Sequence, residues 1–175
     1  QRLALHVIRR SRVDAEALAS ALINAKDQIK YCDTCFNFTE INNSICEICR
    51  DRNRDHSCIC VVEQASDVLV LEANAIHKGV FHVLGGLLSP LDGVGPEDLR
   101  VEELSVRVSA VEVKEVILAF NAGPEGDATS SYLYQLLSEH VGISRPARGL
   151  PVGADLDLAD GITLTHAFAG RSLLE

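Results

Sequence analysis

Apolar residues at helical spacing mark the first part of the chain. Residues 1–10 are predicted to form a short helix, and Ser11 with Asp14 has the spacing of a capping box that opens a second helix to about Lys30. Within this second helix apolar residues recur every three or four positions, at Leu18, Ala21, Leu22, Ala25 and Ile29. The pattern predicts an N-terminal helical arm over residues 1–30.

Short apolar runs alternate with helical periodicity from residue 59 onward. The pattern predicts strands at 59–63, 80–84, 115–120 and 143–147, and helices at 65–74, 97–108, 127–141 and 163–174. The strands are mostly apolar, which is typical of a parallel sheet covered on both faces. The fold class is therefore predicted as α/β, with a mostly parallel sheet flanked by helices over 59–150 and a C-terminal helical segment over 151–175.

Two C-x-x-C pairs lie between the arm and this α/β body, separated by ten residues. A two-residue gap turns both thiolates of a pair toward one ion, and a second pair completes a tetrahedral shell. Four sulfur ligands with no open position indicate a structural Zn²⁺, although two disulfides or free thiols in a small core are the alternatives. With the charged link after it, this predicts a four-cysteine zinc finger and linker over residues 31–58, with the ligands Cys32, Cys35, Cys46 and Cys49.

Composition limits the class of protein. The chain has 175 residues, 47% of them hydrophobic and 23% charged, which suits one globular domain with a small appendage. No apolar run reaches the roughly 20 residues of a membrane span, and no targeting segment is evident, so we expect a cytoplasmic protein with reduced thiols. Cys58 and Cys60 are expected to be buried free thiols, with Cys58 or His56 as a further candidate ligand near the zinc.

Charge is distributed unevenly between the two parts of the chain. Residues 1–58 carry nine Lys/Arg and eight Asp/Glu, a net charge of +1, whereas residues 59–175 carry seven and seventeen, a net charge of −10. An acidic body repels nucleic acid, so any phosphate contacts are expected in the N-terminal part. The alternative is an ordinary solvated surface. The candidate DNA-binding residues of the arm are Arg2, Arg9, Arg10 and Arg12.

Three acidic residues are predicted at the carboxyl ends of strands. Glu63 ends the first strand of the α/β body, and Glu125 and Asp127 follow the third with Gly126 between them. In parallel sheets this edge carries the functional surface, and such oxygens suit a hard divalent cation such as Mg²⁺. The alternative is that the acids are solvated, or that Asp127 is the N-cap of the following helix.

The order of short motifs along the chain resembles the RecR family of bacterial recombination mediators. The resemblance rests on the four-cysteine module and five further motifs, which are Ile59-Cys-Val-Val-Glu63, Leu88-Ser-Pro-Leu-Asp-Gly-Val-Gly-Pro96, Val116-Ile-Leu-Ala119, Glu125-Gly-Asp-Ala-Thr129 and Gly149-Leu-Pro-Val-Gly153, closed by Ala169-Gly-Arg171. It implies that the α/β body is a Toprim domain. It also implies that Glu63, Glu125 and Asp127 occupy the Mg²⁺ positions of that fold.

The resemblance further implies a role without turnover. RecR-like proteins act with RecO and RecF in DNA repair, help load recombinase onto single-stranded or gapped DNA, and assemble as homo-oligomers, either dimers or tetrameric rings. The Toprim face is then a partner surface, residues 151–175 serve subunit assembly, and the location is nucleoid-associated. The alternative is a Toprim-type, Mg²⁺-dependent nuclease or primase-like phosphoryl transferase. Tyr132 and Tyr134 are the nearest tyrosines for a nucleophile, and both are predicted to pack on a helix.

Two departures from the family pattern change the expectations. RecR-like chains normally begin with a helix-hairpin-helix that contacts DNA phosphates, and here Gln1-Arg2-Leu3-Ala4 resembles the end of its G-x-G-P-K-S-A-Q-R-L-A run. Only Arg2 of its basic pair is present, so we expect weaker DNA binding than with the whole motif. The family's Asn-Pro-Thr-x-Glu-Gly-Glu reads Asn121-Ala-Gly-Pro-Glu-Gly-Asp127 here, which is expected to reshape the loop or weaken its cation.

Overall fold

A four-stranded parallel sheet and a separate two-stranded hairpin organise the chain in a computed structural model, which describes residues 2–110 and 112–172. The strands are Ile29–Tyr31 (β1), Phe38–Glu40 (β2), Asp55–Val62 (β3), Gly79–Val83 (β4), Glu115–Leu118 (β5) and Gly142–Ser144 (β6). The α-helices are Arg2–Ile8 (α1), Arg12–Gln28 (α2), Glu47–Arg50 (α3), Ala65–Ala73 (α4), Val101–Ala110 (α5), Pro124–Leu137 (α6) and Gly161–Ala169 (α7).

The N-terminal arm consists of α1 and α2. The predicted capping box is confirmed, because the amide of Asp14 donates to Ser11 Oγ while the Asp14 carboxylate accepts from the Ser11 amide. None of the described residues of either helix is buried. The second helix ends at Gln28 rather than near Lys30, because the next three residues form β1 and pair antiparallel with β2.

The main sheet has the strand order β4-β3-β5-β6, and all three pairings are parallel. This confirms the predicted α/β class and its mostly parallel sheet. The first strand begins at Asp55 instead of residue 59, since Asp55 already pairs with Gly79 before an irregularity in the register. The end of the predicted linker, residues 55–58, therefore belongs to β3. Its polar composition does not indicate that it forms a strand.

Helices cover both faces of this sheet. The core on one face joins Ile59 and Val61 of β3 to α5 and α6, through side chains that include Leu104 and Leu133. The core on the other face joins alternate strand residues, among them Cys60, Val62 and Phe81, to α4. Side chains that alternate in direction along one strand therefore supply two cores, as expected for a parallel sheet buried on both sides.

Further helix boundaries differ from the predicted ones, and the helix predicted at 97–108 is α5, which begins at Val101 and ends at Ala110. The helix predicted at 127–141 begins instead at Pro124, with Gly123 as N-cap, so the N-cap role proposed for Asp127 is wrong. Proline at the first helical position already has a helical φ and needs no amide partner, which favours the earlier start. The helix predicted at 163–174 is α7, which begins after the N-cap Asp160 and ends at Ala169. Residues 173 and 174 of that prediction lie outside the described residues.

Candidate metal centre and acidic cleft

The four cysteines of the two C-x-x-C pairs meet in one cluster. Their Sγ atoms all lie within 4.8 Å of one another, and in the described part of the chain this is the one group of three or more such ligands. Cys32 and Cys35 are fully buried, Cys46 is nearly so, and Cys49 is half-buried. Four convergent thiols in a closed, buried site suit a structural metal ion with no open coordination position.

Backbone hydrogen bonds shape each half of this cluster. In the first half, the Cys32 amide donates to the Asn37 carbonyl over 2.7 Å, and the Phe36 amide donates to the Cys32 carbonyl over 3.0 Å. Closing this turn requires Phe36 to adopt a left-handed φ of 60°. In the second half, Cys46 is the N-cap of α3 and its amide donates to Cys32 Sγ over 3.3 Å. The two C-x-x-C turns thereby bring all four sulfur atoms close together.

The thiols perturb one another strongly. Hydrogen bonds from Cys35 and Cys46 hold the pKa of Cys32 far below its ordinary value. The bond to Cys32 raises the pKa of Cys35, and a bond to the same sulfur raises the pKa of Cys49. Four thiolates would repel one another at this spacing, and a dication bound among them would take the place of the protons that neighbouring thiols share.

The metal module, residues 29–50, lies on the edge strand of the main sheet. The Val83 amide, on the free edge of β4, donates to the Cys35 carbonyl over 2.8 Å. Phe36 meets His82 edge-on, with ring centroids 5.5 Å apart, and the Arg100 guanidinium lies 4.9 Å from the centre of the Phe36 ring. The module thus covers a strand edge that would otherwise present unpaired backbone groups.

The further candidate ligands lie elsewhere. His56 Nε2 is 3.0 Å from the Asp51 carbonyl, and Cys58 Sγ is 3.8 Å from Glu115 Oε2. Burial, followed by the charge of Glu115, raises the pKa of Cys58 to about 11. Burial raises the pKa of Cys60 to about 12. Both remain neutral thiols near neutral pH, outside the four-cysteine cluster.

Arg54 has a role that the local sequence did not indicate. It forms a double hydrogen-bonded ion pair with Glu72 of α4 and donates to the Gly79 carbonyl over 3.0 Å. Its side chain is only 19% exposed, in contrast to a freely solvated arginine. One arginine in a charged stretch carries no pattern that reveals such a distant partner.

The acidic residues at the carboxyl edge of the sheet divide into two groups. Glu63, after β3, and Glu125, at the start of α6, both line a cleft of about 670 Å³. Asp92 and Asp98 line the same cleft, but Ser89 and the Gly95 amide already donate hydrogen bonds to their carboxylates. The cleft opens between the ends of β3 and β5, where the connections leave toward opposite faces of the sheet and ligands of this fold class bind.

Asp127 is directed away from this cleft. Because α6 begins at Pro124, Glu125 and Asp127 are two positions apart on a helix and project in nearly opposite directions. Arg148 Nη1 lies 2.6 Å from Asp127 Oδ1, and Arg145 Nη1 lies 3.8 Å from the same oxygen. The structure therefore places Glu63 and Glu125 on the same cleft but not Asp127, whose charge is balanced by Arg148 and, at a longer distance, by Arg145.

Gly126 and Thr129 hold this start of α6 in place. A Cβ atom at Gly126 would lie 2.2 Å from the Asn121 carbonyl oxygen, so only glycine fits there. The buried Thr129 hydroxyl donates to the Glu125 carbonyl over 2.7 Å and accepts from the Leu88 amide over 2.9 Å. These contacts join the loop after β4 to α6 and fix the wall of the cleft that carries Glu125.

The arginines and tyrosines singled out from the sequence occupy different environments. Tyr132 packs against the core as expected, whereas Tyr134 is 56% exposed, so its predicted packing role is wrong. Tyr134 lies on the solvent-exposed face of α6. The buried residues of this helix recur every three or four positions on the opposite face. The arm arginines are all exposed, and Arg12 pairs with Glu16 over 2.9 Å; the four are Arg2, Arg9, Arg10 and Arg12.

Comparison with known proteins identifies the family. A Toprim-domain family model matches residues 57–147, and a RecR C-terminal model matches residues 149–172. The chain is 50% identical over 176 residues to the recombination protein RecR of Moorella thermoacetica, covering 100% of this chain and 87% of that protein. It is 49% identical over 175 residues to the recombination protein RecR of Trichormus variabilis, covering 100% and 94%. The chain belongs to the RecR family.

RecR membership covers the arm and the cysteine cluster as well as the Toprim domain, because the matched relatives align over the full chain. A third example, from Desulforudis audaxviator, is 49% identical over 172 residues, covering 98% of this chain and 86% of the relative. The family assigns the protein to recombination and repair. Among the described helices, none has the length and apolar character that crossing a bilayer requires.

Proposed function

We propose that this protein is a non-enzymatic mediator of DNA recombination and repair, which binds single-stranded or gapped DNA and helps partner proteins load recombinase. The observation that carries the proposal is the similarity of the whole chain to proteins named recombination protein RecR. The separation of a helical arm with exposed arginines from an acidic Toprim body supports it, because the two surfaces suit different partners.

DNA contact is assigned to the arm. Arg9 and Arg10 lie between α1 and α2 with exposed side chains, where they are free to approach phosphates. Fluorescence anisotropy with labelled single-stranded and gapped DNA across a salt series tests this. We expect Arg9→Gln/Arg10→Gln to weaken binding and to reduce the salt slope by roughly 1 to 2, while the charge-matched control Lys78→Gln/Lys114→Gln on the body does not. Equal loss in both variants would contradict an arm-specific interface.

Protein contacts are assigned to the acidic cleft. Glu63 and Glu125 line its wall without an ion-pair partner among the described residues, although Gln64 donates to Glu63 over 3.3 Å. Such carboxylates suit basic side chains of RecO-like or RecF-like partners, or Mg²⁺. A pull-down with RecO is expected to fail with Glu63→Gln/Glu125→Gln and to succeed with Glu139→Gln, an exposed carboxylate elsewhere on the body. We place the protein in the bacterial cytoplasm, associated with the nucleoid.

Absence of turnover is part of the proposal. Asp127 is paired with Arg148 and directed away from Glu125, which supports the proposal, because metal-dependent phosphoryl transfer needs carboxylates that converge on a cation. Assays for Mg²⁺-dependent nicking and primer synthesis are expected to give no product. Activity that Glu125→Ala abolished would overturn the mediator assignment in favour of a Toprim enzyme.

Zinc is the metal that we propose for the cysteine cluster. Four soft, buried thiolates favour Zn²⁺ over the hard cations, and the ion would serve the fold rather than chemistry. Elemental analysis of the purified protein is expected to give one zinc per chain. A cluster that contained a different metal, or none, would show this assignment to be wrong.

A further inference from the structure

A second groove, which adjoins the acidic cleft and shares Gly85 and Asp98 with it, lies between the β1–β2 hairpin and the Toprim body. Its volume is about 440 Å³, within the range of small-ligand sites. One wall carries Tyr31 and Phe38 from the hairpin, and the floor is formed by Phe36 and Leu84. The groove adjoins the carboxyl ends of β3 and β4, the side of a parallel sheet on which ligands bind.

The hairpin wall is a pair of stacked aromatic rings. Tyr31 and Phe38 are directly opposite each other in the antiparallel register, with ring centroids 5.6 Å apart and planes inclined by 23°. Tyr31 is nevertheless 59% exposed and Phe38 48% exposed, so ring surface remains open to solvent. Exposed aromatic rings fixed on a rigid hairpin are the platform on which proteins stack nucleobases without sequence preference.

The opposite side of the groove is polar. Gln64 and Ser66 lie at the start of α4, and Asp98 and Arg100 lie before α5. Asp98 accepts from the Gly95 amide, Gln64 donates to Glu63, and Arg100 pairs with Glu103. The remaining amide, hydroxyl, carboxylate and guanidinium atoms supply both donors and acceptors. The Arg100 guanidinium is half-exposed and held over the Phe36 ring, so it is positioned before any ligand arrives. A flat apolar wall facing mixed donors and acceptors complements a nucleobase, which has an apolar face and a polar edge.

We infer that this groove binds a base of single-stranded nucleic acid, which stacks on Tyr31 and Phe38 and directs its polar edge toward Gln64 and Arg100. The inference rests on the proposed DNA-binding function. It adds a second type of contact, in which the protein binds the bases of the nucleic acid instead of its phosphates. The arm then supplies the charge-dependent part of the affinity, and the groove supplies a part that salt does not screen.

A binding experiment with two probes separates these parts. The probes are a labelled short oligothymidylate and an abasic deoxyribose-phosphate oligomer of the same length, compared by anisotropy. We expect Tyr31→Ala/Phe38→Ala to weaken oligothymidylate binding by about fivefold to a hundredfold with an unchanged salt slope, and to leave binding of the abasic oligomer unchanged. Tyr134→Ala, an exposed tyrosine on α6, is the matched control and is expected to bind both probes as the wild type does.

Two further variants distinguish stacking from loss of fold. Phe38→Leu keeps apolar volume but loses the ring, so it is expected to lose affinity while retaining its metal content and melting temperature. Phe38→Trp keeps an aromatic ring at this position. Because the wild-type chain has no tryptophan, the substituted residue is the only tryptophan of the variant. We expect this variant to bind normally and its fluorescence to be quenched by oligothymidylate but not by the abasic oligomer.

The possible outcomes have distinct meanings. If the wild type bound neither probe, the proposed DNA-binding function would fail together with this inference. If the wild type bound oligothymidylate and Tyr31→Ala/Phe38→Ala bound it equally well, the inference alone would fail. If that variant lost RecO capture while its DNA affinity stayed the same, the groove would be a protein-docking surface and the inference would again be wrong.

Discussion

Asp127 illustrates how one residue's partner decides its role. Its carboxylate contacts Arg148, whose side chain is only 17% exposed, and also lies near Arg145, which is 55% exposed. Removing Asp127 leaves a largely buried guanidinium without its counter-ion, and that costs more than the loss of a surface pair. The ion pair joins the first turn of α6 to the segment that leads into the C-terminal region.

We therefore expect Asp127→Asn and Arg148→Gln each to lower the free energy of unfolding by about 1 kcal/mol. Urea unfolding at neutral pH measures this. Arg145→Gln is the control and is expected to change the stability by much less, because its contact is longer and its side chain is exposed. Equal effects of Arg145→Gln and Arg148→Gln would show that the shorter pair has no special importance.

His82 is a second residue whose surroundings fix its state. It is fully buried in β4, with Nε2 2.9 Å from the Arg100 carbonyl and Nδ1 without a hydrogen-bond partner among the described residues. The carbonyl accepts, so Nε2 carries the proton of a neutral ring. Burial lowers the pKa of His82 to about 4, and the positive charges of Arg107 and Arg100 act in the same direction.

This predicts a loss of stability in mild acid. An unfolded histidine takes up a proton near pH 6.5, but the folded one only near pH 4, so between these values the unfolded chain binds more protons. The free energy of unfolding therefore falls as the pH falls through this window, by up to about 3 kcal/mol at pH 4. Urea unfolding from pH 7 to pH 4 should show a shallower loss in His82→Gln than in the wild type, since the metal centre affects both alike. Parallel pH profiles would contradict this.

At the scale of elements, the metal module and the sheet depend on each other. The module donates no strand to the main sheet, yet the Cys35 carbonyl accepts from the free edge of β4, and Phe36 packs on the same strand and its neighbours. Phe36 does so with a left-handed backbone, which costs about 1 kcal/mol or more for a residue other than glycine. The contacts with His82 and Arg100 offset that cost, so the turn geometry and the docking are linked.

Loss of the metal is therefore expected to expose the edge of β4. Cys46→Ser should lose zinc, have a lower melting temperature and scatter light on warming, because binding energy at such a site is also folding energy and an uncovered edge aggregates. Cys58→Ser, at a half-buried cysteine outside the cluster, should keep its zinc. Zinc content, melting temperature and light scattering measure these effects. A Cys46→Ser protein with full zinc content and an unchanged melting temperature would contradict the structural role.

Local signals predicted most of these elements, whereas contacts between distant residues were not predictable. The capping box at Ser11, the apolar strands and the C-x-x-C pairs each depend on residues that are close in sequence. The structure contains all three features. The helix start at Pro124 was missed because an E-x-D pattern looks the same in a loop and in a first turn. The docking of Phe36 and the pairing of Asp127 with Arg148 depend on how separate elements approach, which one sequence does not encode in any local pattern.

At the scale of the whole molecule, both terminal segments expose large apolar side chains, in addition to those exposed at scattered positions of the body, such as Leu69 and Leu91. On the arm, Leu3, Ile8 and Leu22 are more than half exposed, and in the C-terminal segment so are Ile162 and Phe168. The Toprim body between them buries two continuous cores and has an acidic surface. Several exposed apolar side chains on one helix are typical of surfaces that other chains cover. The family resemblance predicts a homo-oligomer, and we expect its contacts to include these terminal helices.

We expect the protein to have a mass in solution of at least twice the 18.9 kDa of one chain. Light scattering coupled to size-exclusion chromatography, with the protein alone and with gapped DNA, measures this directly. Ile162→Glu/Phe168→Glu places two charges on exposed apolar positions of α7 and is expected to reduce the mass, because burying them in an interface is costly. Leu91→Glu is the control, since Leu91 is 98% exposed on the loop after β4 and far in sequence from both terminal segments. A wild-type protein that remained a single chain at every concentration, or a Leu91→Glu variant that dissociated as readily as the α7 variant, would show that the exposed apolar ends do not hold subunits together.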